Sequence, residues 1–224
     1  MTEAPFFLGH GGVRLAKVTQ AHIDARTQDI LGGAMRLFAR KGIEETTMQE
    51  IASEAGISAG AVYRYYPGKE HLVRAVFDAC NAGTQQMFDE AAAETDTPLE
   101  ALRRTGRIAW DSIREADAQE QSILNLEMAL AGARRPQEFG RDLRELARRR
   151  VGLLEALLRE ARARGEIDPA IDPRALALTL MAAYLGSRVL ALDLGDEADT
   201  EAIHGMTMSL LAAFSATGDR RSHN

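Results

Sequence analysis

Tyr63, Arg64, Tyr65, Tyr66 and Lys69 place hydroxyl, guanidinium and ammonium donors within seven residues. So dense a run of long donors suits an anionic polymer better than a buried turn, because phosphate oxygens accept from these groups. Just upstream, Ala59, Gly60 and Ala61 are too small to build a core stripe. At the start of a helix they let the backbone approach the floor of a DNA major groove, with Ile57 and Val62 left as anchors. Gln49 adds an amide that can pair bidentately with adenine. Thr47 is positioned to cap a helix and touch a phosphate through the same first turn, and Lys69 can join its charge to the free N–H groups of another helix start. Thr47, Gln49, Ala59, Gly60, Ala61, Tyr63, Arg64, Tyr65 and Lys69 are therefore the candidate nucleic-acid contacts. Tyr66 falls on an apolar position and reads as packing. Tyr63 and Arg64 admit either a contact or a plain surface role.

Other chemistry is sparse. His10, His22, His71, His204 and His223 form no i, i+4 pair and have no cysteine partner at ligand spacing, so neither a metal nor a cofactor is expected. The single Cys80 lies on an apolar helix side, where a thiol is inert packing. The glycines at 9, 11 and 12 follow no strand and do not open a helix, which excludes a dinucleotide loop. The arginine run 148–150 reads as a solvated helix face. No activated nucleophile or phosphate loop emerges, so no catalytic residue is assigned.

The elements that must position these residues follow from periodicity and caps. Ile23, Thr27, Ile30, Leu31, Ala34, Leu37 and Phe38 recur at helical spacing, and Arg40, Lys41 and Gly42 form a basic last turn with a terminal glycine. Thr47 and Glu50 make a capping box that opens a second helix from Met48 to about Ala55, and Gly56 breaks it. Ser58 caps a third over 59–65, so two short helices meet across about three residues, the spacing of a helix-turn-helix. A fourth helix after Pro67 and Gly68 carries Leu72, Val73, Val76, Phe77 and Cys80. Thr97-Pro98 and Asp172-Pro173 pair a cap with proline at the first helical position. They frame helices predicted over 98–117, 119–133, 136–164 and 173–192. A ninth, over 199–216, places Ile203, Met206, Leu210, Leu211 and Phe214 on one side. The expected organisation is a flexible arm at 1–20, in which Arg14 and Lys17 read as tail, a helix-turn-helix domain at 21–68, a helical domain at 69–217 and a frayed tail at 218–224.

The segment GIEETTMQEIASEAGISAGAVYRYYPGKEHL, residues 42–72, resembles the DNA-binding region of the TetR family of bacterial transcription repressors. The shared pattern runs Gly, spacer, Thr-Thr, Ile-Ala, Ala-Gly, Ser, Gly, Tyr, an aromatic pair and Lys-Glu. With the preceding helix it covers about a quarter of the chain. The resemblance implies phosphate contacts from Tyr63, Lys69 and Thr47. Gln49 departs from the basic or acidic residue that members often carry there, which leaves the preferred base open. It also implies a small-molecule pocket among the fifth to eighth helices, with Trp110, Leu124, Met128, Phe139, Met181 and Tyr184 as candidates. Glu127 and Arg188 stand beside them as charges that would orient a polar ligand. The last two helices would pair with their copies in a four-helix bundle, through Leu185, Val189, Ile203, Met206, Leu210 and Phe214.

The 224 residues are 46% hydrophobic but only 5% aromatic, and six prolines leave long uninterrupted stretches, so an all-α class is expected and a β-sandwich is not. One cysteine rules out an internal disulfide. The net charge of −6 falls outside the first 85 residues, which are neutral. DNA binding must therefore rest on a few placed groups. The short apolar run at 6–8 lacks the form of a signal peptide, and the segment 175–187 is charge-free for less than a bilayer span, so it reads as a buried helix. These observations predict a cytoplasmic, non-enzymatic, homodimeric repressor of palindromic double-stranded operator DNA, without a membrane partner and relieved by a small-molecule effector. The alternatives are a helical-bundle enzyme and an adaptor that keeps the fold without reading DNA.

Overall fold

The computed structural model describes residues 20–215. The arm with Arg14 and Lys17, and the tail beyond 215, lie outside the described residues. Helices α1 (Gln20–Lys41), α2 (Met48–Glu54), α3 (Ala59–Tyr65) and α4 (Lys69–Ala93) are followed by α5 (Pro98–Asp111), α6 (Ala118–Arg134) and α7 (Gly140–Ala163). A 3-10 turn then joins α8 (Pro173–Leu194) to α9 (Thr200–Ala213).

The predicted caps form. The Thr47 hydroxyl accepts from the Glu50 N–H, and the Glu50 carboxylate accepts from the Thr47 N–H at 2.9 Å, so each satisfies a backbone donor that a helix start leaves orphaned. Each such cap contributes about 1 kcal/mol. Ser58, Thr97 and Asp172 cap α3, α5 and α8 with a side-chain oxygen that accepts from the Ala61, Glu100 and Arg174 N–H groups, without the reciprocal bond. Gly56, at φ +67°, closes α2: its N–H reaches the Ser53 carbonyl and the Ile57 N–H reaches that of Ala52, a paired closure that needs a left-handed residue.

Two elements are shorter than their periodicity suggests. The fifth helix stops at Asp111 rather than 117, where the Ser112 hydroxyl donates to the Ala109 carbonyl and residues 112–117 turn toward α6. The seventh begins at Gly140 rather than 136, because residues 136–139 are spent on a turn that buries Phe139 completely. In both cases the apolar spacing continues through a turn, so periodicity alone overshoots.

The expected boundary after Gly68 cuts through a core. Phe38 of α1, Ile43 of the α1–α2 turn and Val62 of α3 pack with Val73 and Phe77 of α4 and with Leu124, Met128 and Phe139 near α6 and α7. Helices of seven residues cannot bury enough surface alone. A second core joins Phe88, Leu102, Leu154, Leu158, Leu180 and Leu211 from α4, α5, α7, α8 and α9. Each fully buried residue of this size contributes about 1.5–3 kcal/mol.

The eighth helix is not buried all round. Leu176, Ala177 and Leu180 face the core, whereas Leu178, Leu185, Val189, Leu190 and Leu194 stay 38–49% exposed. By length and composition alone, Pro173–Ala198 would be long and apolar enough to cross a membrane, but it packs against α5-to-α9 neighbours along one side and carries the buried Arg188. In α9 the expected single apolar side is split between two faces. Leu211 is fully buried and Phe214 packs on the second core, while Met206 and Leu210 are 64% and 49% exposed.

Candidate DNA interface and effector cavity

The α2–turn–α3 unit presents Thr47, Gln49, Gly60, Tyr63 and Arg64 to solvent. Val62 is fully buried, while Ala59, Tyr65 and Tyr66 pack partly against the first core, so Tyr65 is half anchor rather than a free donor. Ala61 is half-buried, and its N–H is held by the Ser58 cap. This unit is electrostatically well ordered. Arg36 and Arg40 converge on Glu54, and Lys41 pairs with Glu50. Hydrogen bonds from Lys41 and from Thr47 hold the Glu50 carboxyl down at about 2, and those from Arg36 and Arg40 lower that of Glu54.

Lys69 corrects the simplest reading of its role. Its ammonium donates to the Glu44 carbonyl at 2.7 Å and the Thr46 carbonyl at 3.1 Å, so it fastens the start of α4 to the α1–α2 turn. Two of its three donors are thereby committed to backbone before any phosphate arrives. The Thr47 hydroxyl is likewise engaged with Glu50. Arg64 differs: among the described residues its guanidinium has neither a carboxylate nor a hydrogen-bond partner. It is the cation of this surface left free for an external anion.

The effector-domain candidates separate cleanly. A cavity of about 230 Å³ is bounded by Met128, Leu146, Arg150, Met181 and Arg188. A second, of about 110 Å³, is bounded by Trp110, Thr105, Leu154, Met181 and Tyr184, and it shares Asn125, Arg150 and Leu185 with the first. A third opening joins Leu124, Arg150, Tyr184 and Arg188 to Met35 and Ala39 of α1. Trp110, Leu124, Met128, Met181, Tyr184 and Arg188 thus each border at least one of these spaces.

Glu127 and Phe139 do not. The Glu127 carboxylate turns away and accepts from the Ile43 N–H, and Phe139 is a core residue with Arg135 over its ring at 5.1 Å. Arg150 is the opposite case. Arg148 and Arg149 are exposed as a solvated face requires, but Arg150 is half-buried and borders all three spaces. A run of like residues hides which member points inward; only the helical phase relative to Leu146 and Leu154 distinguishes it. Asn125, between Leu124 and Leu126, also borders all three spaces, and no sequence pattern singles it out. Burial, with Arg188 nearby, lowers the Arg150 pKa, and burial raises that of the Cys80 thiol, which sits 4.0 Å from the Met128 sulfur.

Comparison with known proteins decides the family. Residues 30–76 match the family model for bacterial regulatory proteins of the tetR family. The KstR2 transcriptional repressor of Rhodococcus jostii is 30% identical over 146 residues, 64% of this chain and 70% of that protein. The chain belongs to the TetR family. YfiR, an HTH-type transcriptional regulator of Bacillus subtilis, is 42% identical over 62 residues, 28% of this chain. That match spans only 30% of YfiR, so resemblance to this relative is confined to a part of it. Among solved structures, the SmeT–triclosan complex superposes with a TM-score of 0.73 at 21% identity, covering 88% of this chain and 93% of that one. The TetR-family fold therefore extends through the helical domain, where sequence similarity is weak.

Proposed function

We propose that this TetR-family chain is a dimeric transcriptional repressor that reads palindromic operator DNA and releases it when a small molecule enters the helical domain. One observation carries the DNA-binding part: α3 exposes Gly60, Tyr63 and an unpartnered Arg64 on one side, while Val62 anchors the other in the first core. A rigid short helix with a small-residue approach and a free cation has the form of a major-groove reader. Gln49 supplies base readout, and Thr47, Tyr63 and the remaining donor of Lys69 supply phosphate contacts.

The exposed apolar side chains of α8 and α9, among them Leu185, Val189, Met206 and Leu210, support pairing with a second copy. Ile203 is half-buried beside them, whereas Phe214 serves its own core. A cytoplasmic location follows from this role. Effector relief is supported by the third opening, where α1 of the reading head and Arg150, Tyr184 and Arg188 of the helical domain share one wall. SmeT has been seen in complex with triclosan, and KstR2 is a transcriptional repressor.

A ligand shifts this equilibrium only by its differential affinity for the DNA-incompetent form, typically about 1–3 kcal/mol. The test is fluorescence anisotropy on promoter DNA across a salt titration. Salt-sensitive, sequence-selective binding supports the reading, and binding indifferent to sequence and salt refutes it.

A further inference from the structure

We propose that the effector is an amphipathic organic anion, with one acidic head held between Arg150 and Arg188 and an apolar body lying along Met128, Met181, Leu154 and Trp110. This rests on the effector-site reading above and names its chemical class. Several surface arginines of this chain are paired: Arg36, Arg74, Arg107 and Arg174 each reach a carboxylate within 4.0 Å. The two that border the cavities are not, since neither Arg150 nor Arg188 has an ion-pair partner among the described residues. Asp117 and Glu120 stand on the rim of the third opening, yet neither comes within 4.0 Å of these guanidiniums.

Arg188 is only 4% exposed. It donates to the Tyr184 hydroxyl at 2.9 Å, the Ser112 hydroxyl at 3.4 Å and the Ala118 carbonyl at 3.3 Å. Its buried Nε has no partner. Arg150 donates once, to the Asn125 side-chain oxygen at 3.3 Å. All these acceptors are neutral. They orient the guanidiniums without cancelling their charge, and a second cation sharing the same walls makes the apo state electrostatically worse. Such an arrangement is unfavourable for the fold alone and favourable for a carboxylate or phosphate, which a guanidinium binds in a forked, charge-assisted geometry. Away from the two arginines the walls of the first two cavities are mostly apolar, with Ser122, Thr84 and Thr105 among the few polar side chains, so the rest of the ligand is mainly apolar.

The chain has one tryptophan, and Trp110 lines the second cavity, so its fluorescence reports binding directly. The purified full chain is titrated with decanoate, decanol and decylamine. Decanoate is expected to bind about tenfold tighter than decanol, and decylamine weakest. Arg188→Gln and Arg150→Gln should each reduce the preference for decanoate over decanol. Arg150, which holds no backbone carbonyl, keeps the test open if the Arg188 variant does not fold. Decanol binding as tightly as decanoate, or variants that keep the full preference, would overturn the anionic assignment while leaving an effector cavity in place. No response to any of the three overturns the assignment together with the cavity. Operator release is read in the same titration. Decanoate that binds with the expected preference yet releases no DNA supports the site and refutes only the relief of repression.

Discussion

The Glu127 carboxylate of α6 accepts a hydrogen bond from the Ile43 N–H at 3.1 Å, across 84 residues of sequence. It also lies against Gly42, whose φ of +86° ends α1, at a spot where a Cβ would meet the carboxylate oxygen at 3.2 Å. One side chain of the helical domain therefore closes the turn that leads into the helix-turn-helix. With the α1–α6 packing and the shared wall beside Arg150, this gives the two domains a direct connection besides α4.

Glu127→Ala should leave that backbone donor unsatisfied and cost about 1–3 kcal/mol of stability in urea denaturation. If the contact also couples the domains, operator affinity without effector falls more than the effector's own affinity for the cavity. Equal losses in both would show a purely structural role.

Arg64→Ala should weaken operator binding and shallow the salt dependence by about one unit per half-site, because a free cation is withdrawn from phosphate. Gln49→Ala should instead cost about 1–3 kcal/mol at one base pair per half-site and leave the slope nearly unchanged. Lys69→Ala has a different signature: it releases the Glu44 and Thr46 carbonyls, so the melting temperature should fall along with affinity for all sequences.

His204 is 2% exposed, stacks on Trp110 at 5.1 Å and leaves both ring nitrogens unpartnered. Burial, reinforced by Arg107, lowers its pKa below 6.5. The folded state thus resists the proton that the unfolded chain accepts, and the unfolded state binds more protons as pH drops below about 6.5. Stability from this residue is fully present above that value and lost below it. His204→Phe should flatten the decline of melting temperature between about pH 6.5 and 5. An unchanged slope would place the proton uptake elsewhere.

Leu210→Arg or Val189→Arg should convert a dimer to monomer in sedimentation, since each puts a charge into the exposed apolar side of α8 and α9. Phe214→Arg should unfold the chain instead, because Phe214 packs on the second core. A wild-type monomer at micromolar concentration would refute the dimer.

The reading head was legible because caps and glycines are local chemistry: Thr47 with Glu50, Ser58 and Gly56 specify their turns within four residues. The cavities of the helical domain were legible only by residue type. Trp110, Met181, Tyr184 and Arg188 could be named as inward candidates, but within the arginine run only helical phase with Leu146 and Leu154 sets Arg150 apart from Arg149, and nothing local tells that Glu127 turns to Ile43 rather than into the cavity. Those orientations depend on contacts between helices far apart in sequence. Lys69 shows the same limit at close range, since the carbonyls that hold it lie 23 and 25 residues away.

Sequence-specific operator reading can be measured by selecting genomic DNA fragments with the purified chain at physiological salt and footprinting those retained. A dimeric reader should enrich a two-fold symmetric site whose half-sites lie one turn, about 10 base pairs, or a multiple apart. Protection should be lost in Arg64→Ala/Gln49→Ala at unchanged melting temperature. Recovery of fragments with no common sequence, or a footprint untouched by that double substitution, would contradict operator reading.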